Sequence, residues 1–294
     1  MNIINSHVHM IDLKGMIKKY GDISLPSSIA VLSNLKNTMH LLSLDVLLKQ
    51  MDDANIEKSV LYAVEAPIVY ASNEYVYNLC SKYPDRLIGF ASVDPHSENA
   101  LETLETAIKD FGFKGLKLHP PLQNFFPNDP IMFPIYQKAV ELNIPIVFHV
   151  GTTPFANLCR LDQASPLLLD HVAIKFPKLK IMLTHLGTLW HNEAFMVVEK
   201  HPNVFIDTAA YVYEIKQILT SDLVSRIGAN KIVFGTDYPM PYANKVHQMK
   251  DFVDCIKALD LNKKTIADIF SNNFNAFMNK VDIFNDNIKA TDML

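Results

Sequence analysis

Eight short apolar runs, each set off from the next by a helix-forming stretch, constrain this chain more than any other feature. They fall at residues 3–4, 59–64, 87–93, 113–119, 145–150, 180–186, 203–208 and 231–236. Most are near-continuously apolar rather than alternating, as strands covered on both faces are. The later runs begin about 25–35 residues apart, the size of a strand–helix–strand unit. Eight such units in one chain predict an α/β fold, a (β/α)8 TIM barrel. The rival is an open doubly wound sheet, which usually carries a glycine-rich phosphate turn after its first strand. Here that turn reads Asn5-Ser6-His7-Val8-His9.

The spacing predicts helices over 44–51 with Ser43 as N-cap, 74–82 after Asn73, 98–111 capped by Ser97, and 133–142. Another starts at Pro166, and helices over 246–259 and 265–278 close the barrel, the last as an extra C-terminal helix. Residues 10–42 read as a long irregular loop after the first strand, because Gly15, Gly21, Pro26 and Asn34 argue against one continuous element. Such excursions are often functional. The 294 residues leave room for two domains, but a barrel takes roughly 250 as one unit. Residues 1–280 are therefore expected to form a single barrel, with 281–294 as a polar tail.

A net charge of -4 points to neither a nucleic-acid nor a membrane-surface partner. Cys80, Cys159 and Cys255 form no disulfide framework and no Cys-x-x-Cys pair. No basic start leads into an apolar stretch, and no run reaches the ~18 apolar residues that span a bilayer. The expectation is a soluble, cytoplasmic protein.

His7 and His9 lie two apart, so both imidazoles leave a strand on one side. They read either as half of a metal site or as ordinary histidines. The other polar residues favour the metal. Asp94 ends the third run, Lys117 and His119 the fourth, His149 the fifth, His185 the sixth, Asp207 the seventh and Asp237 the eighth. In a closed barrel those ends converge on one mouth, the face that carries chemistry.

Five segments, Asn5-Ser6-His7-Val8-His9, Lys117-Leu118-His119-Pro120, Phe148-His149-Val150-Gly151, Thr184-His185-Leu186-Gly187 and Phe234-Gly235-Thr236-Asp237-Tyr238-Pro239, resemble the motifs of the amidohydrolase superfamily. More narrowly they resemble its amidohydrolase-2 branch, related to aminocarboxymuconate semialdehyde decarboxylase. The likeness runs from residue 2 to about residue 278. It implies that His7, His9, His149 and Asp237 hold one divalent metal, zinc first, with manganese or iron as alternatives. It also implies that His185 stands beside the metal's water as a catalytic or substrate-polarising group. Zinc lowers the pKa of such a water from about 15.7 to about 7. Asp237 would take its proton, and His185 would steady an oxyanion or protonate a leaving group.

Lys117 and His119 face the mouth together and are read as substrate-binding. Some superfamily members carry a carboxylated lysine on this strand that bridges two metals; a structural lysine buried against Asp94 or Asp207 is the third reading. Arg160, after the fifth run, is a carboxylate clamp or a surface arginine. Trp190 is the wall of an apolar pocket or loop packing. The implied activity is hydrolysis of a small carbonyl substrate, such as an amide, lactone or related ring. The alternative is a lyase, a non-oxidative decarboxylase of a small unsaturated or aromatic carboxylate. A homodimer is the assembly that the resemblance suggests.

Overall fold

A computed structural model describes residues 2–21, 38–153, 155, 158–239 and 246–279. Among them are eight strands: β1 (Ile4–His9), β2 (Lys58–Tyr62), β3 (Leu87–Phe90), β4 (Leu116–Leu118), β5 (Ile146–Phe148), β6 (Ile181–Leu183), β7 (Val204–Asp207) and β8 (Ile232–Val233). All pair in parallel, β1 to β3 in one ladder and β4 to β8 in another. Backbone bonds close both seams. Past β3, Ala91 N donates to Gly115 O (2.8 Å) and Lys117 N to Ala91 O (2.7 Å). Between β8 and β1, Ser6 N donates to Phe234 O (2.9 Å) and His9 N to Tyr238 O (2.8 Å). The fold is a (β/α)8 TIM barrel, the one that the eight runs predict.

Alternation along each strand sorts the side chains into two apolar layers. Ile146, Phe148, Ile181, Leu183, Val204, Ile206 and Ile232 belong to the large cluster packed under the helices. Their neighbours Val147, Met182, Phe205 and Val233 belong to a second cluster with Ile4, Val60, Tyr62 and Phe90, which fills the barrel. The same alternation, carried one step past the interior cluster, turns His149 and Asp207 inward at the mouth, and it turns Lys117, in register with Val147, inward one layer below.

At β1 the register with β2 slips between Asn5 and Val8, so the strand bulges where His7 sits. Gly235 lets that bulge approach β8: a Cβ there would stand 3.0 Å from His7 Cβ and 3.1 Å from Ser6 Oγ.

Several helix boundaries differ from the sequence expectation. Leu13–Tyr20 is a helix where a loop was expected, capped by Asp12, whose carboxylate accepts from Gly15 N at 2.9 Å. A Cβ on Gly15 would come within 2.1 Å of that carboxylate, so the glycine makes room for the cap rather than breaking the helix. The rest of the expected loop, residues 22–37, and the tail 281–294 lie outside the described residues. Ser72, not Asn73, caps the helix Asn73–Cys80, and the helix expected from Ser97 runs over Ala100–Lys109. The helix expected at Pro166 begins at Leu168, after a turn through Pro166. The closing helix is interrupted by a π turn at Asp268–Asn272. There Ile269 O accepts from Phe234 N at 3.0 Å, and Asn273 Nδ2 donates to the carbonyls of Ala229 and Ile232, so the helix is tied to β8. No helix among the described residues is long and apolar enough to cross a membrane.

Candidate metal centre at the barrel mouth

Three side chains from the joined edges of β1 and β8 meet at one point. His7 Nε2 lies 3.1 Å from His9 Nε2, and the nearer oxygen of Asp237 lies 3.2 Å from His7 Nε2 and 3.3 Å from His9 Nε2. Donors bound tetrahedrally at about 2.0–2.1 Å stand roughly 3.3 Å apart, so this triangle fits one small cation. All three residues are buried.

Behind the triangle, Asp207 sets the chemistry of His7. Its Oδ2 lies 2.7 Å from His7 Nδ1. Its Oδ1 accepts from the backbone N of His185 (2.7 Å) and of Ala209 (3.1 Å). The carboxylate takes the His7 Nδ1 proton as a hydrogen bond, which leaves Nε2 as a bare lone pair for a metal. His7, His185 and Asp207 also form a compact group, but there Asp207 already serves those three donors.

The protonation states suit a cation. Burial pulls His9 down to about 4, against the opposing pull of Asp237. Burial likewise brings His185 to about 4, and holds His119 and His149 well below the usual imidazole range. Burial opposes charge on Asp237, yet His185, His7 and the bonds to His7 and His9 hold its carboxyl well below the usual range. At neutral pH the mouth therefore offers neutral imidazoles beside an ionised carboxylate, the forms that bind metal. His185 (φ 62) and Asp237 (φ 55) both sit in the left-handed region, uncommon for residues other than glycine though histidine and aspartate are among those that enter it.

His149 does not join the triangle. Its Nδ1 lies 3.1 Å from His185 Nε2 and its Nε2 lies 2.9 Å from Thr153 Oγ1. The tautomers follow from the far end of this line. His185 Nδ1 faces the carbonyl of Ala209 at 2.6 Å, and a carbonyl can only accept, so Nδ1 carries the proton and Nε2 is bare. His149 Nδ1 then donates to it, and Thr153 donates to His149 Nε2. His119 stacks on His149 with ring centres 3.9 Å apart and planes 9° from parallel.

Lys117 is buried in the same mouth, its ammonium 4.9 Å from the centre of the Tyr62 ring. Tyr62 also lies edge-on to His7, at 4.7 Å. Arg160 is not brought to the site; its exposed guanidinium is engaged by Asp162 at 3.1 and 2.6 Å. Asp94 is exposed and accepts from His96 N, so it is neither a mouth residue nor a partner for Lys117. Trp190 stands half-buried at the start of the helix His191–Lys200, without a ring contact to the histidines. The sequence placed Asp207 at the mouth without giving it the role of partner to His7, and it did not single out Thr153. For Asp207 a signal existed, an aspartate ending a strand on its inward side.

The sequence pattern of the family described as amidohydrolase matches residues 4–274. Gamma-resorcylate decarboxylase of Rhodococcus jostii is 24% identical over 77% of this chain and 87% of its own length. Two solved structures share the fold. A 5-carboxyvanillate decarboxylase from Novosphingobium aromaticivorans, with bound manganese, has a TM-score of 0.69 at 17% identity, covering 94% of this chain and 96% of that one. A probable 2-pyrone-4,6-dicarboxylic acid hydrolase from Acinetobacter baumannii has a TM-score of 0.67 at 16% identity, covering 95% and 99%.

Proposed function

The chain belongs to the amidohydrolase family, and from that membership we propose an enzyme that holds one divalent ion on His7, His9 and Asp237 and adds water to a small carbonyl substrate. The observation that carries the reading is the triangle of donors 3.1–3.3 Å apart, with Asp207 fixing the His7 tautomer behind it. When bound, the ion would polarise a substrate oxygen and lower the pKa of a water. Zinc is the ion proposed from the donor set, with manganese as the alternative that the Novosphingobium relative carries.

The chain's own groups supply the rest. Asp237, ionised and held by two imidazoles, accepts the proton of the attacking water. His185 presents a bare Nε2, so it first accepts a proton and then returns it to the leaving atom. It cannot steady an oxyanion until it has been charged. His149 and Thr153 hold its ring in register with that proton path.

Non-oxidative decarboxylation is the second reading, favoured by the Rhodococcus relative. There the carbon–carbon bond breaks, its electron pair stays on the substrate carbon, carbon dioxide leaves, and a proton that His185 Nε2 has first accepted from solvent goes to that carbon. The three cysteines are free, which supports a reducing cytoplasmic setting. The assembly proposed is a homodimer; light scattering of the purified chain tests it, and a monomer mass would overturn it.

Lactones, amides and aromatic carboxylates offered to the metal-loaded protein, with carbon dioxide detection, separate the two reactions. Hydrolysis products without carbon dioxide support the first reading. Carbon dioxide release from an aromatic acid replaces it with the second, and no turnover of any class with metal in place overturns both.

A further inference from the structure

We infer that His119 is a catalytic residue, a neutral Nε2–H donor to the oxygen on which charge gathers as water adds to the carbonyl, and that Gln123 is the positioning residue that presents it. This deepens the function proposed above and rests on its water-adding reading. That reading leaves a gap, because His185 Nε2 is bare and can only accept when the attack begins. His119 has the complementary arrangement. Its Nδ1 accepts from the backbone N of Leu122 at 3.4 Å. A backbone N–H can only donate, so Nδ1 is bare and the ring proton of the neutral form is on Nε2. No hydrogen bond engages that Nε2 among the described residues. His119 is 5% exposed, and its ring stacks 3.9 Å from that of His149, whose Nδ1 lies 3.1 Å from His185 Nε2.

Structural duties alone do not account for this ring. Serine, threonine, aspartate and asparagine are the residues preferred to receive a backbone N–H at a helix start. A phenylalanine would serve the stack on His149. Only the unused N–H calls for a histidine. Gln123 fixes where the residue sits. Its Oε1 accepts from His119 N at 2.7 Å, and its own backbone N donates to the His119 carbonyl at 2.9 Å. Both backbone polar groups of His119 are therefore pinned by one residue. The same side chain donates through Nε2 to the carbonyls of Val93 at 2.7 Å and Glu65 at 3.2 Å. Gln123 is 6% exposed, and it ties together the segments that leave β2, β3 and β4. A donor aimed at developing charge works by being arranged beforehand, and this clamp supplies the arrangement.

The step balances with the groups already placed. Water attacks the carbonyl carbon, one of its protons passes to Asp237, and the π pair of the carbonyl moves to oxygen. His119 donates its Nε2–H to that oxygen and keeps the proton. The pair then returns and the bond to the leaving atom breaks. That atom takes a proton that His185 Nε2 has accepted from solvent, and Asp237 gives its own back to solvent.

Solution NMR of the zinc-loaded full chain, carrying isotope-labelled histidine, reads the tautomer at about pH 8, where an ordinary imidazole is neutral. His119→Phe identifies the His119 signals, and His119→Gln takes its place if the phenylalanine variant does not fold. The expected spectrum has Nε2 protonated and Nδ1 bare in wild type, and a mixture of the two tautomers in Gln123→Leu. The lactone dihydrocoumarin is the kinetic probe. His119→Phe is expected to lower kcat about 10²–10³-fold with KM and zinc content unchanged. His119→Gln, whose amide also donates, is expected to recover part of that loss, and Gln123→Leu to fall between wild type and His119→Phe. A proton on Nδ1 in wild type overturns the inference, as does a wild-type kcat in a folded His119→Phe, or a loss that falls on KM alone. A wild type that hydrolyses no lactone overturns the water-adding reading and the oxyanion role with it. The tautomer, read without turnover, separates that outcome from a failure of His119 itself.

Discussion

Two lysines at opposite ends of the barrel, Lys117 buried and Lys231 partly buried, separate what is structural in this molecule from what is poised for a ligand. Burial draws both Lys117 and Lys231 down to about 8. At the floor, Lys231 Nζ donates to the carbonyls of His201 (2.8 Å), Pro202 (2.7 Å) and Val204 (3.2 Å), and so ties the entry of β7 to that of β8. At the mouth, Lys117 donates to nothing among the described residues. The shifts are alike and the surroundings are opposite. A perturbed pKa alone therefore does not mark a functional group here; the missing acceptor does.

The largest expected effect lies wholly at the mouth. His185→Asn should lower turnover by about 10²–10⁴-fold, the usual worth of a positioned proton carrier, with zinc retained by elemental analysis. Wild-type rates in that variant would remove His185 from the reaction. Next comes Asp207→Asn, which leaves the triangle intact but loosens the His7 tautomer. Metal affinity, read by competition with a chromophoric chelator, should fall about 10–100-fold.

The lysine pair itself is tested by denaturant unfolding. Lys231→Met takes a donor from three carbonyls, of which that of His201 still accepts from Val204 N, and should cost about 1–3 kcal/mol. Lys117→Met removes a charge that had no acceptor and should leave stability level or raise it. If both variants lose the same amount, the contrast between the two ends is wrong. The smallest effect is in pH. Folded Lys231 gives up its proton near 8 and the unfolded chain near 10.5, so between those values the unfolded chain holds more protons and stability rises with pH. Lys231→Met should remove the share of that rise due to this residue, seen as a shallower slope in melts between pH 8 and 10.5.

Much of this was legible in the sequence because a strand has a period of two. Once eight runs are placed, His7 and His9 must share a side, and Lys117, His149 and Asp207 must turn inward. The pairings were not legible, because they join residues far apart in the chain. His7 and Asp207 are 200 positions apart, and nothing local marks Asp207 as the carboxylate behind a particular imidazole. Arg160 misled for the opposite reason. It sits in the correct loop, but Asp162, two residues on, already occupies its guanidinium. Gly15 looked like a break and is instead the clearance for the Asp12 cap. His149 was assigned by resemblance to the metal, while in the structure its ring is engaged by His185 and Thr153.

The metal content of purified wild type beside Asp237→Asn tests the central claim most directly. The account predicts about one equivalent of a divalent ion per wild-type chain, removable by chelator and restored by zinc, and a much reduced content in the variant. A wild type that never takes up a divalent ion, or a variant that holds it as tightly, would contradict it.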